Sequence, residues 1–339
     1  MENSAILTKQ CSVPDRPRHF LAIFIEHSFQ TQHSEVTQMT TQWWIRSIGG
    51  LLVGAIAACS SPPEFEEATP APAASELSEP EETADVPATE LPQVVALTSL
   101  TADIIQTLEA DALVGIPGSS LLREGDRFAG IEVVSEGRLE PDLEKIVALE
   151  PDLVIGAAGF HDKTLDRMTE LGIETLTVNV DSWVALRTTT ADLAQRLGTD
   201  PEPLLARYDA CLAKAPETAP STLVLVSRQP LLSPNQASWA GDFLAQFNIP
   251  NLTAELQGES PFDGYVTLSE EKVLTSNPEA LIVVQTEDDL LSQLKEDAFW
   301  GQLAATQTDA VYTFDYFGLV NPGGLASIEA TCDRLANLE

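Results

Sequence analysis

Residues 139–155 read L-E-P-D-L-E-K-I-V-A-L-E-P-D-L-V-I, and residues 266–282 read V-T-L-S-E-E-K-V-L-T-S-N-P-E-A-L-I. At a constant offset of 127, Glu144 falls on Glu271, Lys145 on Lys272, Pro151 on Pro278, Asp152 on Glu279 and Ile155 on Ile282. Each copy carries apolar residues at helical spacing, then a proline that stops the helix, then a short apolar run that reads as a buried strand. The chain therefore builds one helix–turn–strand unit in two places. Two similar α/β lobes imply a cleft between them, and such a cleft is where a ligand binds.

The first 58 residues do not belong to that fold. Arg46 precedes an apolar run at 48–58, too short to span a bilayer, and small residues then meet a cysteine at Ile56-Ala57-Ala58-Cys59. The motif resembles a bacterial lipobox, in which the cysteine is lipidated and becomes the mature N-terminus. An ordinary secretory signal, or a buried helix with a chance cysteine, are the other readings. Residues 1–38 fit no signal peptide, which makes Met39 the expected true start. Residues 60–92 hold seven prolines and nine acids without a single Lys or Arg. Such a segment buries too little apolar surface to fold and repels itself into an extended spacer, with a reach on the order of 100 Å. A lipid at Cys59 would leave the protein tethered to a membrane, outside the cytoplasm. The expected organisation is leader 1–58, tether 59–92, first lobe 93–183, connecting helices 184–216 and second lobe 217–339.

The net charge is −34, which disfavours nucleic acid as a partner. Past residue 58 only His161 remains among the histidines, so capture of a bare metal ion by two or three imidazoles is excluded. Cys211 and Cys332 form an even pair in an oxidising compartment, either bridged or as two buried thiols.

Apolar runs at 94–97, 113–116, 153–156 and 175–179 alternate with helical patterns at 99–108 and 162–171, and 118–138 reads as loop. This alternation predicts a mostly parallel sheet with helices on both faces. Helices at 184–197 and 202–214, broken at Gly198-Thr199-Asp200-Pro201, lead to a second lobe with strands at 222–227, 281–285 and 310–313 and helices at 242–247 and 325–338. A helix bridging the lobes is stiff, so only small hinge motion is expected.

The order strand, Ser99-Leu100-Thr101, first repeat, second repeat, Phe299-Trp300-Gly301-Gln302-Leu303 and Gly323-Gly324 resembles the ferric-siderophore and cobalamin periplasmic binding proteins across 93–339. The resemblance implies an α/β fold of two Rossmann-like lobes with mostly parallel sheets, joined by a long connecting helix, with the cleft between them. It implies a monomeric substrate-binding protein of an ABC importer, handing a metal chelate to a permease with its ATPase, with no intrinsic cofactor and no enzymatic activity. In that family one exposed glutamate per lobe docks on permease arginines, and the matching positions are Glu144 and Glu271, with Glu270 one residue from the latter. Both glutamates are also simply favoured in a first helical turn, by about 0.3–1 kcal/mol.

In doubly wound sheets the cleft is lined by loops at the carboxyl ends of strands. That rule selects Ser99, Thr101, Ser119, Phe160, His161 and Trp183 in the first lobe. In the second it selects Arg228, Trp239, Gln285 and Tyr316, and Trp239 stands where the resembling family often places a cleft residue. Arg123, with Arg127 and Arg138, adds charge suited to a carboxylate or hydroxamate chelate. The motifs G-x-G-x-x-G, G-x-x-x-x-G-K-[ST] and G-x-S-x-G are absent, which speaks against an enzyme on the same fold. A membrane-tethered sensor or scaffold is the remaining class, and it need not keep the two glutamates. Among cargoes, a ferric siderophore is expected ahead of cobalamin or haem.

Overall fold

The structure, a computed structural model, describes residues 91–338 apart from 124–125, 137–138, 259, 261 and 287–288. The leader, the lipidation expected at Cys59, most of the tether and Arg138 lie outside the described residues.

The first lobe runs β1 (Val94–Ala96), α1 (Ser99–Leu108), β2 (Leu113–Gly118), α2 (Ser120–Arg123), β3 (Glu132–Glu136), α3 (Leu143–Ala148), β4 (Leu153–Ala157), α4 (Asp162–Glu170) and β5 (Glu174–Val178). Its five strands are parallel in the order β3-β2-β1-β4-β5. The central β1 is buried along its whole length, as a strand covered on both faces must be. One expectation fails here. Residues 118–138 are not all loop, because Val133 and Val134 carry an edge strand that pairs with β2 alone.

The connecting helices are α5 (Trp183–Leu197) and α6 (Glu202–Leu212), separated by Gly198 in the left-handed conformation at φ 70°. The second lobe follows as β6 (Thr222–Leu225), β7 (Ser227–Arg228), β8 (Leu231–Pro234), α7 (Trp239–Gln246), β9 (Tyr265–Leu268), α8 (Glu270–Ser276), β10 (Ala280–Gln285), α9 (Leu290–Lys295), α10 (Ala304–Gln307), β11 (Val311–Asp315), α11 (Tyr316–Leu319) and α12 (Leu325–Leu335). Strands β11-β10-β6 form a parallel sheet. The expected strand at 222–227 breaks at Val226, and its second half enters a separate antiparallel sheet, β7-β8-β9.

The sequence repeat is a repeat of bonds. The Asp142 carboxylate caps α3 by accepting from Glu144 N and Lys145 N at 3.0 and 3.2 Å, and Ser269 Oγ caps α8 by accepting from Lys272 N at 3.2 Å. Glu150 and Asn277 then turn left-handed, at φ 48° and 38°, before the two prolines. After each proline an acid reaches back to the residue that opens its lobe's first strand. Asp152 Oδ2 accepts from Gln93 N at 2.8 Å, and Glu279 Oε2 accepts from Ser221 N and Oγ at 2.8 and 2.9 Å. Those two donors hold the Glu279 carboxyl below its ordinary value.

Between the lobes the contacts are specific. Asp103 of α1 is 6% exposed and accepts from Leu325 N at 2.7 Å, which caps the first turn of α12. Its other oxygen pairs with Arg127. Asp242 of α7 accepts from Trp183 N at 2.8 Å and so caps the first turn of α5. α12 lies along α6, held by Arg207–Glu329, Lys214–Asp333 and a Cys211–Cys332 bridge with Cα atoms 5.7 Å apart. Tyr208 lies buried beneath this junction, bonded to Thr190 at 3.0 Å, and burial pushes its phenol up to about 12.

Candidate ligand-binding cleft

The parallel strands of the first lobe end together, so the loops after β1, β2, β4 and β5 share one edge. In the second lobe the loops after β10 and β11 share another, since Gln285 and Asp315 are register partners at the strand ends. Leu121, just past β2, and Phe317, just past β11, both lie beside Gly323. The two side chains approach within 3.0 and 2.6 Å of where a Cβ on Gly323 would stand. The loops after β2 and β11 thus come together beside Gly323.

Several side chains expected at the cleft serve the fold instead. Thr101 is fully buried, with its hydroxyl 2.7 Å from Thr98 Oγ1 inside the cap of α1. Trp183 and Trp239 are 2% and 3% exposed and stack on each other at 5.7 Å. Trp239 Nε1 donates to Gly318 O at 2.8 Å, and the Trp183 indole N–H is buried without a partner among the described residues. Both rings are packing residues of the lobe junction because α5 and α7 cross there with Phe243 wedged against both. Arg228 is held by Asp297 through Nε at 3.0 Å and Nη2 at 2.5 Å, a fork that leaves little for a ligand. Arg127 is committed to Asp103, and exposed Arg123 lies 3.2 Å from Glu136.

His161 folds back onto its own strand. Its Nδ1 accepts from Ala157 N at 3.0 Å, which places the ring proton on Nε2 and removes the lone pair that metal ligation would need. Burial holds its imidazole below the ordinary 6.5, with Asp162 opposing the shift. Ser99 and Ser119 are half-buried at the edge, where Ser119 Oγ accepts from Leu121 N at 3.3 Å. Phe160 and Gln285 are exposed on opposite lobes.

An aromatic wall emerges in the second lobe. Tyr316 and Phe317 pack edge to face at 5.2 Å, as do Phe262 and Tyr265 at 6.5 Å. Burial raises the Tyr265 phenol, and Tyr316 adds to the shift. Sequence reasoning found Tyr316 but missed Phe262, Tyr265 and Leu121. The signal for the first two was the turn Asp263-Gly264 between two aromatic residues, directly before the second repeat. Gly318, at φ 100°, has no room for a Cβ against Ser327 O, and so presses the Tyr316–Phe317 turn onto α12. The wall is apolar with phenolic edges, suited to a broad, flat ligand face.

Glu144 and Glu271 occupy the same position, second in α3 and second in α8. Both are exposed, and neither enters an ion pair among the described residues. α3 follows β3 and α8 follows β9, so each glutamate opens a short helix directly after a strand of its own lobe.

Residues 94–316 match the family described as periplasmic binding protein. The vitamin B12-binding protein of Salmonella typhimurium is 26% identical over 208 residues, covering 58% of this chain and 74% of that protein. Among solved structures, a possible iron-binding periplasmic solute-binding protein from Staphylococcus epidermidis superposes with a TM-score of 0.60 at 15% identity, covering 74% of this chain and 99% of that one. The heme-binding protein HutB of Vibrio cholerae gives 0.55 at 21% identity, covering 73% and 98%. Two α/β lobes, a cleft between them and a match over most of the folded body lead to one assignment: the chain belongs to the periplasmic binding proteins, a family of binding proteins and not of enzymes.

Proposed function

We propose that the protein is an extracytoplasmic lipoprotein, anchored through Cys59, that captures a corrinoid of the cobalamin type between its lobes and delivers it to an ABC importer. Glu144 and Glu271 would seat the two lobes on basic loops of the permease, which works with its ATPase. The protein would act as a monomer.

The observation that carries the cargo is the state of the arginines. Sequence alone favours a ferric siderophore, because siderophore binders are the commoner members of the resembling family, and it places Arg123 and Arg228 among the candidate contacts. Arg228 and Arg127 already face carboxylates of their own lobe, at Asp297 and Asp103, and Arg123 faces Glu136. In this reading the cargo would meet the aromatic pairs Phe262–Tyr265 and Tyr316–Phe317, with Leu121 and exposed Phe160 from the first lobe. On a chain of net charge −34, such a surface favours a large, weakly charged macrocycle over an anionic chelate. The curated relatives named as vitamin B12-binding proteins point the same way. A ferric chelate or haem is the second reading, favoured by the iron- and heme-binding structural neighbours.

Isothermal titration with cyanocobalamin, haemin, a ferric hydroxamate and ferric citrate separates the readings. Saturable binding of cyanocobalamin alone is expected. Binding of only a ferric hydroxamate or haemin would keep the transport role and overturn the cargo. The double variant Glu144→Ala, Glu271→Ala should bind cargo normally and fail in uptake. Normal uptake by that variant would overturn the docking assignment.

A further inference from the structure

The two repeat-related helices share a backbone but not a surface chemistry. In α3, Glu144 is surrounded by exposed apolar side chains: Leu143 is 37% exposed, Val147 41%, and Leu139 just before the helix 71%. At the offset of 127 these positions become Glu270, Leu274 and Val266. Glu270 is exposed and charged, Leu274 is partly buried against the second core, and Val266 is 2% exposed. The contrast extends over whole lobes. Every large hydrophobic residue that is exposed among the described residues falls within 91–184, and the second lobe exposes none.

Leu143 and Val147 are one helical turn apart and so lie on one face of α3. Leu139 joins them from a turn in which its N–H donates to Glu136 O at 3.0 Å. Apolar side chains gathered around an unpaired carboxylate are a feature of surfaces that are covered in use. The second lobe instead offers two adjacent carboxylates, Glu270 and Glu271, at the start of α8.

We infer that the permease docks the two lobes by different physics. The first lobe buries Leu139, Leu143 and Val147 around Glu144 against an apolar patch beside a basic residue. The second lobe makes a charge contact only, through Glu270 and Glu271 with a basic loop. This rests on the proposed role of Glu144 and Glu271 in docking. A homodimeric permease would then meet two unlike faces, and the apolar lobe would hold on when salt screens the charged one.

Binding of the protein to its importer, permease with ATPase in lipid nanodiscs, tests the inference at about 50 mM and about 500 mM salt. The variant Leu139→Ser, Leu143→Ser, Val147→Ser should weaken binding roughly tenfold or more at both concentrations, because the lost term is apolar burial. The variant Glu270→Gln, Glu271→Gln should weaken binding at low salt and match the unaltered protein at high salt. Leu171→Ser, at an exposed apolar position just past α4, should bind like the unaltered protein. Cargo affinity and melting temperature, unchanged in every variant, would show that the fold is intact. If the triple serine variant binds normally while the glutamate variant does not, the asymmetry is wrong and docking stands. If neither variant, nor Glu144→Gln with Glu271→Gln, alters binding, the docking reading itself fails. Equal binding of the unaltered protein to empty nanodiscs would assign the apolar patch to lipid and overturn the inference.

Discussion

The carboxylate of Asp103 accepts the backbone N–H of Leu325 at 2.7 Å, across 222 residues and from one lobe to the other. It supplies the cap that α12 lacks, because the residue at that position, Gly324, has no side chain to offer. Asp242 returns the favour in the opposite direction at Trp183 N. Each lobe thus terminates a helix that the other lobe, or the connector, begins. Relative motion of the lobes stretches both bonds at once, which limits opening to small angles.

Replacing Asp103 should therefore cost more than a surface cap. Asp103→Ala leaves Leu325 N–H buried without a partner and is expected to lower stability by about 2–3 kcal/mol. Asp103→Asn keeps an acceptor and should lose about half as much. Urea unfolding of the two variants checks the order. Equal losses would mean that the Arg127 pair, and not the cap, carries the energy.

His161 gives the protein a defined acid weakness. Above pH 6.5 the ring is neutral in both the folded and the unfolded chain. As pH falls below that value the unfolded chain takes up the proton first, since burial depresses the folded pKa. Stability should therefore fall from 6.5 downward through the depressed folded value. In His161→Asn the amide oxygen can still accept from Ala157 N, and the titration is gone. The variant should match the native protein at about pH 7.5 and lose less stability on acidification to about pH 5. Parallel melting curves across that range would refute the assignment.

Cys211 and Cys332 close a loop with a sequence separation of 121. Thiol titration of the denatured, unreduced protein should find neither sulfur of this pair. Reduction should lower the unfolding free energy by up to roughly 5 kcal/mol in the chain-entropy description. Two titratable thiols would mean that the packing of α6 on α12 needs no covalent tie.

Gly323, at φ 65°, lies beside Phe317 and Leu121, between the loops after β2 and β11. A methyl group there would press on the Phe317 ring and on Leu121 Cδ1. Gly323→Ala is expected to weaken cargo binding roughly tenfold, an effect of about 1.4 kcal/mol. A variant that melts earlier but binds cargo unchanged would place Gly323, Leu121 and Phe317 outside the binding site.

The repeat was legible in the sequence because its parts are local. Caps, left-handed turns and prolines act within a few residues, and so Asp142, Ser269, Glu150 and Asn277 stand where the pattern puts them. The parallel alternation of the first lobe followed from the same kind of signal. Several of the losses were long-range. Arg228 finds Asp297 at a separation of 69 and Trp183 meets Trp239 across the lobe junction, and nothing near either residue announces its partner. The antiparallel sheet was missed because β7 continues the apolar run of β6 after one residue, Val226, turns the chain out of the first sheet. The edge strand β3 was missed for its brevity, with Val133 and Val134 turned to opposite faces of the sheet between flanking glutamates.

The stacked indoles of Trp183 and Trp239 sit on opposite sides of the junction, 5.7 Å apart and inclined by 29°. Two chromophores that close share their excitation, and the sign and size of the resulting circular-dichroism couplet depend on their mutual angle. Since both rings are buried and held by Phe243 and the Asp242–Trp183 bond, the couplet would persist while α5 and α7 stay packed and vanish when they part. The protein thus carries an unlabelled optical marker for the integrity of the junction between α5 and α7.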